Sequence, residues 1–242
     1  MYQNYLFDLY GTLVDINTNE YKTYLWTKMA ELYAFEGAKY TPMELKKAYY
    51  TLVQEEKQAV HQKYPQFEHI DIRIDNVFHK MFTRKGIQPT PFSEELMAKV
   101  FRAISTKYIR LYDGAGELLD LLHEKGKKVY LLTNAQRYFT VPELQMLGIY
   151  DKFDGIVISS DEYTCKPDSA FYNIMLERYS LNPLKTIMIG NDCITDVEGA
   201  YRTGLDSLYI HSNISPEIST ELKSKFSVMD GDVKKIKNLI IR

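Results

Sequence analysis

The stretch Phe7-Asp8-Leu9-Tyr10-Gly11-Thr12-Leu13-Val14-Asp15 places a carboxylate directly after a short apolar run and before a Gly-Thr turn. The residues from Tyr5 to Phe7 are continuously apolar, which is typical of a parallel strand buried on both faces. Asp8 is therefore predicted at the carboxyl end of a strand, where ligands collect in open α/β sheets. A carboxylate held there can form a covalent aspartyl intermediate. Taken alone, the segment also fits a turn-forming aspartate.

Two later segments supply a hydroxyl donor and a positive charge. The apolar run from Val129 to Leu132 ends at Thr133, whose hydroxyl can donate a hydrogen bond to an anionic oxygen. In isolation this threonine also fits a helix cap that follows a strand. Lys166 precedes Pro167, which holds the local backbone extended and begins a new helix. On its own, Lys166 also fits a surface lysine.

A further apolar strand is predicted from Ile187 to Ile189, and it ends in an acidic turn. Asp192 and Asp196 follow it closely. Two carboxylates in such a turn can share a hard cation, because hard cations prefer oxygen ligands.

Together, these four segments resemble the four motifs of the haloacid dehalogenase superfamily, whose members are mostly phosphatases. The stretch Lys166-Pro167-Asp168 and the stretch from Gly190 to Ala200 are similar to those of its helical-cap (C1) family. The resemblance extends from Tyr5 to about Ile210, and the residues from Asp15 to Tyr108 correspond to a cap by position only.

The resemblance implies a site and a mechanism. Asp8 attacks the substrate, Thr133 binds an oxygen of the transferring group, and Lys166 offsets the negative charge between them. Mg²⁺ is the implied cofactor, and its charge suppresses repulsion between an anionic nucleophile and an anionic phosphate. The implied residues are Asp8, Thr133 and Lys166 for catalysis, Thr12 and Asn134 for substrate binding, and Asp8, the Tyr10 backbone carbonyl, Asp192, Asp196 and, as an alternative to Asp192, Asn191 for the metal.

Tyr10 departs from the phosphatase pattern. Most phosphatases of the superfamily carry a second aspartate at this position, which serves as general acid and base. A phenol with an ordinary pKa of about 10 is a poor base at neutral pH, and loss of such a group typically costs about 10²- to 10⁴-fold in rate. Tyrosine is instead what the 2-haloacid dehalogenases of the superfamily carry, and these require no metal.

Other residues favour a phosphatase over a dehalogenase. The dehalogenases use a cap arginine soon after the first motif, but no arginine lies between Ile16 and Ile72, and Arg73 comes too late. Asp192 and Asp196 would also repel an anionic haloacid unless a cation were bound. The preferred hypothesis is a Mg²⁺-dependent phosphatase of a small phosphorylated metabolite. The alternatives are a 2-haloacid dehalogenase-like hydrolase and a non-catalytic binding or regulatory protein on the same fold.

The spacing of apolar residues along the chain changes near Ile16 and again near Tyr108. Between these points the apolar spacing is helical and predicts about four helices, one of which begins at the capping box Thr41-Pro42-Met43-Glu44. Afterwards helices and strands alternate, which predicts a parallel sheet. The predicted fold is α/β, with a Rossmann-like parallel sheet core (residues 1–15 and 106–242) and an inserted all-helical cap (16–105). This cap is expected to act as a lid that selects the substrate.

Composition excludes several other classes of protein. The 242 residues carry 30 Lys and Arg against 32 Asp and Glu, so the net charge of −2 offers no basic field for nucleic acid or for an anionic membrane. No apolar run approaches the ~20 residues that span a bilayer, and no signal segment begins the sequence. We therefore expect a cytoplasmic enzyme whose partner is a small anionic substrate. Cys165 and Cys193 are too few for a disulfide framework.

Overall fold

The fold is described from a computed structural model, which covers residues 2–219 and 221–241. The outer limits of the predicted core, residues 1 and 242, lie outside the described residues. The strands are β1 (Asn4–Phe7), β2 (Val14–Thr18), β3 (Thr106–Leu111), β4 (Lys128–Thr133), β5 (Gly155–Ile158), β6 (Thr186–Gly190), β7 (Asp206–Ile210) and β8 (Phe226–Val228). The α-helices are α1 (Thr23–Phe35), α2 (Pro42–Lys63), α3 (Ile74–Thr83), α4 (Pro91–Ser105), α5 (Ala115–Glu124), α6 (Arg137–Met146), α7 (Ser159–Glu162), α8 (Ser169–Arg178), α9 (Gly199–Arg202) and α10 (Ile236–Ile240).

Six strands form one parallel sheet in the order β5-β4-β1-β6-β7-β8, which confirms the predicted α/β fold. Strand β1 lies inside the sheet, with Phe7 opposite Leu131 of β4 and Ile189 of β6. This register brings the carboxyl ends of three strands to one edge. Asp8, Thr133 and the turn after Gly190 therefore meet there.

The apolar residues of β1 alternate between two cores, one on each face of the sheet. Tyr5 and Phe7 belong to a cluster that includes Leu118 and Leu122 of α5. Leu6 belongs to the opposite cluster, together with Phe171 of α8. Burial on both faces explains why this strand is continuously apolar in the sequence.

The helices α1 to α4, here called the helical unit, form a separate apolar cluster between β2 and β3. Its centre is aromatic, and the rings of Tyr49 and Phe101 stack with their centroids 5.2 Å apart. At the start of α2, the Thr41 hydroxyl accepts a hydrogen bond from the Glu44 amide, and the Glu44 carboxylate accepts one from the Thr41 amide. This is the capping box expected from the sequence.

Strands β2 and β3 pair as an antiparallel ribbon that connects the helical unit to the core, with Ile16 opposite Ile109. The sequence analysis placed its two boundaries within these strands but did not predict the ribbon. None of the helices formed by the described residues has the length and apolar character that crossing a membrane requires.

One helix start differs from the pattern expected after β6. The alternation of helices and strands along the sequence predicts a helix that begins at Asp196. In the structure a π-helical turn, Cys193–Glu198, begins earlier and continues into α9. The reason is the Asp192 carboxylate, whose Oδ1 accepts hydrogen bonds from the Ile194 and Thr195 amides at 2.8 and 3.1 Å. This cap fixes the first turn and places Asp196 inside it.

Candidate active site

A buried lysine lies between two carboxylates at the centre of the site. The Nζ atom of Lys166 is 2.7 Å from Asp8 Oδ1 and 2.6 Å from Asp196 Oδ1, and the lysine is 2% exposed. Burial acts to lower the pKa of Lys166, but the charges of Asp196 and Asp8 outweigh it, and the pKa lies above its usual value. The ammonium is therefore charged at neutral pH and orients the Asp8 carboxylate.

Asp196 is held by both of its oxygens. Oδ1 contacts Lys166, and Oδ2 accepts a hydrogen bond from the Asp192 amide at 3.0 Å. Burial raises the pKa of Asp196 above its usual value, while the Lys166 ammonium acts in the opposite direction. A Cβ atom added at Gly190 would lie 2.1 Å from Cγ of Asp196, so glycine is required where β6 ends. The Asp196 side chain therefore packs directly against the backbone of Gly190.

Thr133 ends β4 with a hydroxyl that has no hydrogen-bond partner. It is fully buried, and its Oγ1 is the one buried side-chain nitrogen or oxygen atom without a partner among residues 2–219 and 221–241. Leaving a buried hydroxyl unpaired costs about 1–3 kcal/mol, and such groups in native structures call for an explanation. A ligand oxygen bound at the carboxyl edge of the sheet would supply the missing partner.

The Gly-Thr turn of the first motif connects Asp8 with Asn191. The Thr12 hydroxyl lies 3.4 Å from Asp8 Oδ2 and 3.3 Å from Asn191 Oδ1, and Thr12 is fully buried. Gly11 has a φ of +87°, and a Cβ atom there would lie 2.2 Å from the Asn191 amide nitrogen. These contacts give Thr12 an orienting role. That Thr12 binds substrate stays a prediction.

The Asn134 side chain forms hydrogen bonds with the backbone of Lys166. Its Nδ2 donates to the Lys166 carbonyl at 2.9 Å, and its Oδ1 accepts from the Lys166 amide at 2.8 Å. The residue therefore positions the lysine through two reciprocal hydrogen bonds. Direct binding of substrate by Asn134 stays a prediction.

The metal ligands implied by the sequence are oxygen donors of the kind that Mg²⁺ prefers. However, within the described part of the chain, no three His, Cys, Asp or Glu side chains form a group able to hold a metal ion. Asp196 is engaged through both oxygens, and Asp192 uses one oxygen as a helix cap. Asp8, the Tyr10 carbonyl, Asn191 and the second oxygen of Asp192 could together hold the ion. That Asp196 is a ligand stays a prediction.

A cavity of about 240 Å³ opens at these side chains. Its lining combines three carboxylates and one lysine with two apolar residues from the loop after β7. The lining residues are Asp8, Tyr10, Asn134, Lys166, Asn191, Asp192, Thr195, Asp196, Ile214 and Pro216. The structure thus brings most of the predicted site residues together around one small polar cavity. Thr12 and Thr133 are fully buried and are not among its lining residues.

Tyr10 belongs to a second charged cluster that joins the core to the helical unit. Its hydroxyl donates to Glu143 Oε2 of α6 at 2.5 Å, and Glu143 Oε1 accepts from Nε of Arg102, in α4, at 2.6 Å. Burial raises the pKa of Tyr10 well above its ordinary value, and the Glu143 charge adds to this effect. The phenol is therefore a neutral donor committed to Glu143.

Sequence reasoning missed both partners of Tyr10. The dehalogenase pattern places its arginine soon after the first motif, whereas Arg102 lies near the end of α4, just before β3 of the ribbon. This position was the available indication in the sequence. Arg102 precedes the strand by which the chain re-enters the core, and that strand pairs with β2, which follows the first motif. The sequence around Glu143 did not indicate a contact with Tyr10.

The helical unit is also attached to the segment that carries Lys166. The Asp168 carboxylate accepts hydrogen bonds from the Glu68 and His69 amides at 2.7 and 3.1 Å. Ile70 and Thr164 form an antiparallel bridge. The loop between α2 and α3 is therefore hydrogen-bonded to the core within a few residues of Lys166.

Comparison with known proteins places this chain in a family. A model of haloacid dehalogenase-like hydrolases matches residues 2–204. The chain is 31% identical to a phosphoglycolate phosphatase of Nitrosococcus oceani over 149 residues, which are 61% of this chain and 65% of that protein. The matches span between about half and two thirds of the length of the first curated relatives.

Two solved structures share the fold over nearly the whole chain. A 2-haloacid dehalogenase from Pseudomonas syringae superposes with a TM-score of 0.64 at 17% identity, covering 99% of this chain and 98% of that one. The putative hydrolase YfnB from Bacillus subtilis, bound to magnesium, gives a TM-score of 0.57 at 19% identity, covering 100% and 99%. At these identities the likeness concerns the fold alone, and the fold hosts more than one chemistry.

Proposed function

The chain belongs to the haloacid dehalogenase-like hydrolases, and we propose that it is a Mg²⁺-dependent phosphatase acting on a small phosphorylated metabolite through an aspartyl-phosphate intermediate. The proposal rests above all on the Thr133 hydroxyl, which is buried without a partner at the strand edge where Lys166 holds Asp8. An anionic phosphoryl oxygen would pair with it. The name of the Nitrosococcus relative supports the same reaction.

In the proposed mechanism an Asp8 oxygen attacks phosphorus, the bond from phosphorus to the ester oxygen breaks, and the alcohol leaves. Water then attacks phosphorus, which frees Asp8 and releases inorganic phosphate. Lys166 keeps Asp8 oriented and offsets the charge that gathers beside it. Because the Tyr10 hydroxyl donates to Glu143, we assign the proton exchanges of both steps to water in the cavity.

Mg²⁺ is part of the proposal because the cavity offers a set of hard oxygen donors. Asp8, the Tyr10 carbonyl, Asn191 and Asp192 would hold it. When bound, the ion would offset the repulsion between the carboxylates of the cavity and the phosphate of the substrate.

The helical unit would act as the cap of this enzyme, formed by residues 16–105 and closing over the core of residues 1–15 and 106–242. Its three attachments support this arrangement. They are the ribbon, the pair of Arg102 with Glu143, and the backbone contacts at Asp168.

Attack on the carbon of a 2-haloacid is the alternative chemistry, and Tyr10 is its sequence support. Such a reaction needs a cation to receive the substrate carboxylate. Arg102 is the arginine that contacts Tyr10, but its Nε and one terminal nitrogen bind Glu143 at 2.6 and 3.3 Å. An arginine already engaged by a carboxylate is a poor receptor for a second one, which favours the phosphatase.

The test is an assay of the purified protein against a panel of phosphate esters and against 2-chloropropionate, each with Mg²⁺ and with a chelator. We expect phosphate release that requires Mg²⁺ and falls by at least about 10³-fold in Asp8→Asn, since the nucleophile is lost. Asp151→Asn, an exposed aspartate outside the site, is the matched control and should retain full activity. Halide release that survives the chelator would overturn the proposal, and silence on both panels would favour a non-catalytic protein.

A further inference from the structure

Two apolar residues line a cavity that is otherwise polar. Ile214 and Pro216 lie in the segment Ser212–Pro216, here called the roof loop, which follows β7. The family match ends at residue 204, so the roof loop lies outside the matched residues. None of the residues that line the cavity belongs to the helical unit, among the part of the chain that the structure describes.

The roof loop is fixed to the site at both of its sides. The Ser215 hydroxyl accepts a hydrogen bond from the Ser212 amide at 2.8 Å, and it lies 3.3 Å from the Asn191 amide nitrogen, which donates to it. On the other side, Asn213 donates to Asp15 at 3.1 Å and accepts from the Tyr112 hydroxyl at 2.5 Å. These hydrogen bonds hold the roof loop in place as one wall of the cavity.

The charges of the lining restrict what can sit beside a bound phosphate. Lys166 is the one cationic side chain in the lining formed by the described residues, and it already pairs with Asp8 and Asp196. Together with Asp192, these carboxylates bring three negative charges. Lysine and one Mg²⁺ would neutralise them and leave no positive charge for a second anionic group on the substrate. An unpaired like charge at such a site costs several kcal/mol.

We infer that the roof loop determines specificity, and that Ile214 and Pro216 select phosphate esters whose organic group is neutral and apolar next to the phosphate. Esters with a carboxylate at that position are rejected. This inference rests on the proposed phosphatase function. It also moves substrate selection from the helical unit, where the sequence analysis expected it, to a loop of the core.

The experiment compares ethyl phosphate with 2-phosphoglycolate, which differ by a methyl group in place of a carboxylate. With Mg²⁺, we expect the protein to favour ethyl phosphate by at least about tenfold in kcat/KM, a difference of about 1.4 kcal/mol. Ile214→Arg would place a cation on the wall and shift the ratio toward 2-phosphoglycolate by at least about tenfold. Ile218→Arg is the matched control, because Ile218 lies two residues after the roof loop, is 39% exposed and does not line the cavity.

A preference for 2-phosphoglycolate, or equal shifts in Ile214→Arg and Ile218→Arg, would overturn the inference. Circular dichroism checks that both variants fold. If neither ester is hydrolysed, calorimetric binding of each ester to the unmutated protein with Mg²⁺ tests the inference, and the panel of phosphate esters separately decides the proposed function. Tighter binding of ethyl phosphate supports it. Equal affinities, tighter binding of 2-phosphoglycolate or no binding of either ester overturns it.

Discussion

Two charged clusters share the first motif, yet they differ in what they leave unsatisfied. Lys166 binds Asp8 and Asp196, all from the core, beside a buried Thr133 hydroxyl that lacks a partner. Arg102 of the helical unit binds Glu143, which in turn accepts the hydrogen bond of Tyr10. Both clusters line a cavity, of about 240 Å³ at Lys166 and of about 470 Å³ at Arg102 and Glu143. The difference lies in Thr133, whose hydroxyl ends β4 at the sheet edge of the first cluster and is the one buried side-chain nitrogen or oxygen atom without a partner among residues 2–219 and 221–241.

From this difference we propose separate roles for two residues that lie two positions apart in the sequence. Asp8 contacts Lys166, and we propose that it performs the nucleophilic attack. The Tyr10 hydroxyl donates to Glu143 of α6, which also binds Arg102 of α4. We propose that Tyr10 serves this contact between the core and the helical unit and takes no part in proton transfer.

The largest effect is expected from Lys166→Met, which removes the cation between two buried carboxylates. Breaking a buried ion pair costs about 3–5 kcal/mol of stability, and we expect turnover to fall by at least about 10³-fold, because the charge beside the nucleophile is lost. Urea unfolding and steady-state kinetics measure the two effects. Lys128→Met is the control, since the Lys128 side chain is 60% exposed beside Asp154 and its pair is worth at most about 1 kcal/mol.

Arg102→Met should separate the two clusters. It leaves Glu143 buried without its cation, so we expect a loss of up to roughly 3 kcal/mol in stability but less than a tenfold loss in kcat. Arg84→Met, which removes a more exposed pair with Glu55, should cost about 1 kcal/mol or less. A collapse of kcat in Arg102→Met to the level of Lys166→Met, at unchanged fold, would show that the arginine cluster takes part in the chemistry.

Tyr10→Phe is expected to have a smaller effect. It removes the hydrogen bond to Glu143, which is worth about 1.5–3 kcal/mol because the acceptor is a carboxylate, and kcat should stay within a few-fold of the wild-type value. Tyr33→Phe, at a buried tyrosine that donates to a backbone carbonyl of the helical unit, is the matched control for stability. Because a general acid and base contributes about 10²- to 10⁴-fold, a drop of that size in Tyr10→Phe would contradict the structural role.

Asp15, the last residue of the first motif, should give the smallest effect. Burial acts to raise its pKa, but hydrogen bonds from Asn213 and Arg110 outweigh it, and the pKa is lowered. Its ionised form therefore stabilises the fold above the ordinary carboxyl pKa of about 4, and this contribution disappears as the pH falls through the lowered pKa. The stability difference between wild type and Asp15→Asn should shrink from pH 6 to pH 3. A constant or growing difference would contradict this assignment.

The sequence predicted the parts of the site that lie at strand ends. Tyr5 to Phe7 had to form a buried strand because they are continuously apolar, and the placement of Asp8 and Thr133 follows from the parallel sheet. The π-helical turn that holds Asp196 was not predictable, because it depends on the Asp192 cap in three dimensions. The contact of Arg102 with Glu143 joins two helices 41 residues apart, and local pattern does not determine how such helices face each other.

The sequence pattern also did not predict that the roof loop lies at the cavity. Ile214 and Pro216 follow the last recognisable motif, and only the hydrogen bonds of Ser215 and Asn213 turn that segment over the cavity. That the helical unit selects the substrate therefore stays a prediction, to which the roof loop is the alternative inferred above.

The most direct test of nucleophilic attack by Asp8 on phosphorus is turnover of p-nitrophenyl phosphate in ¹⁸O-labelled water, followed by mass spectrometry of the phosphate and of the peptide that contains Asp8. Water attacks phosphorus when an aspartyl phosphate is hydrolysed, whereas it attacks the Asp8 carboxyl carbon when a dehalogenase ester is hydrolysed. We predict ¹⁸O in the released phosphate, none in Asp8, and, in protein quenched with acid during turnover, phosphate bound to the peptide that contains Asp8, which direct attack of water on the ester would not produce. Label in the Asp8 carboxylate, or phosphate release that persists undiminished in Asp8→Asn, would contradict the proposed mechanism.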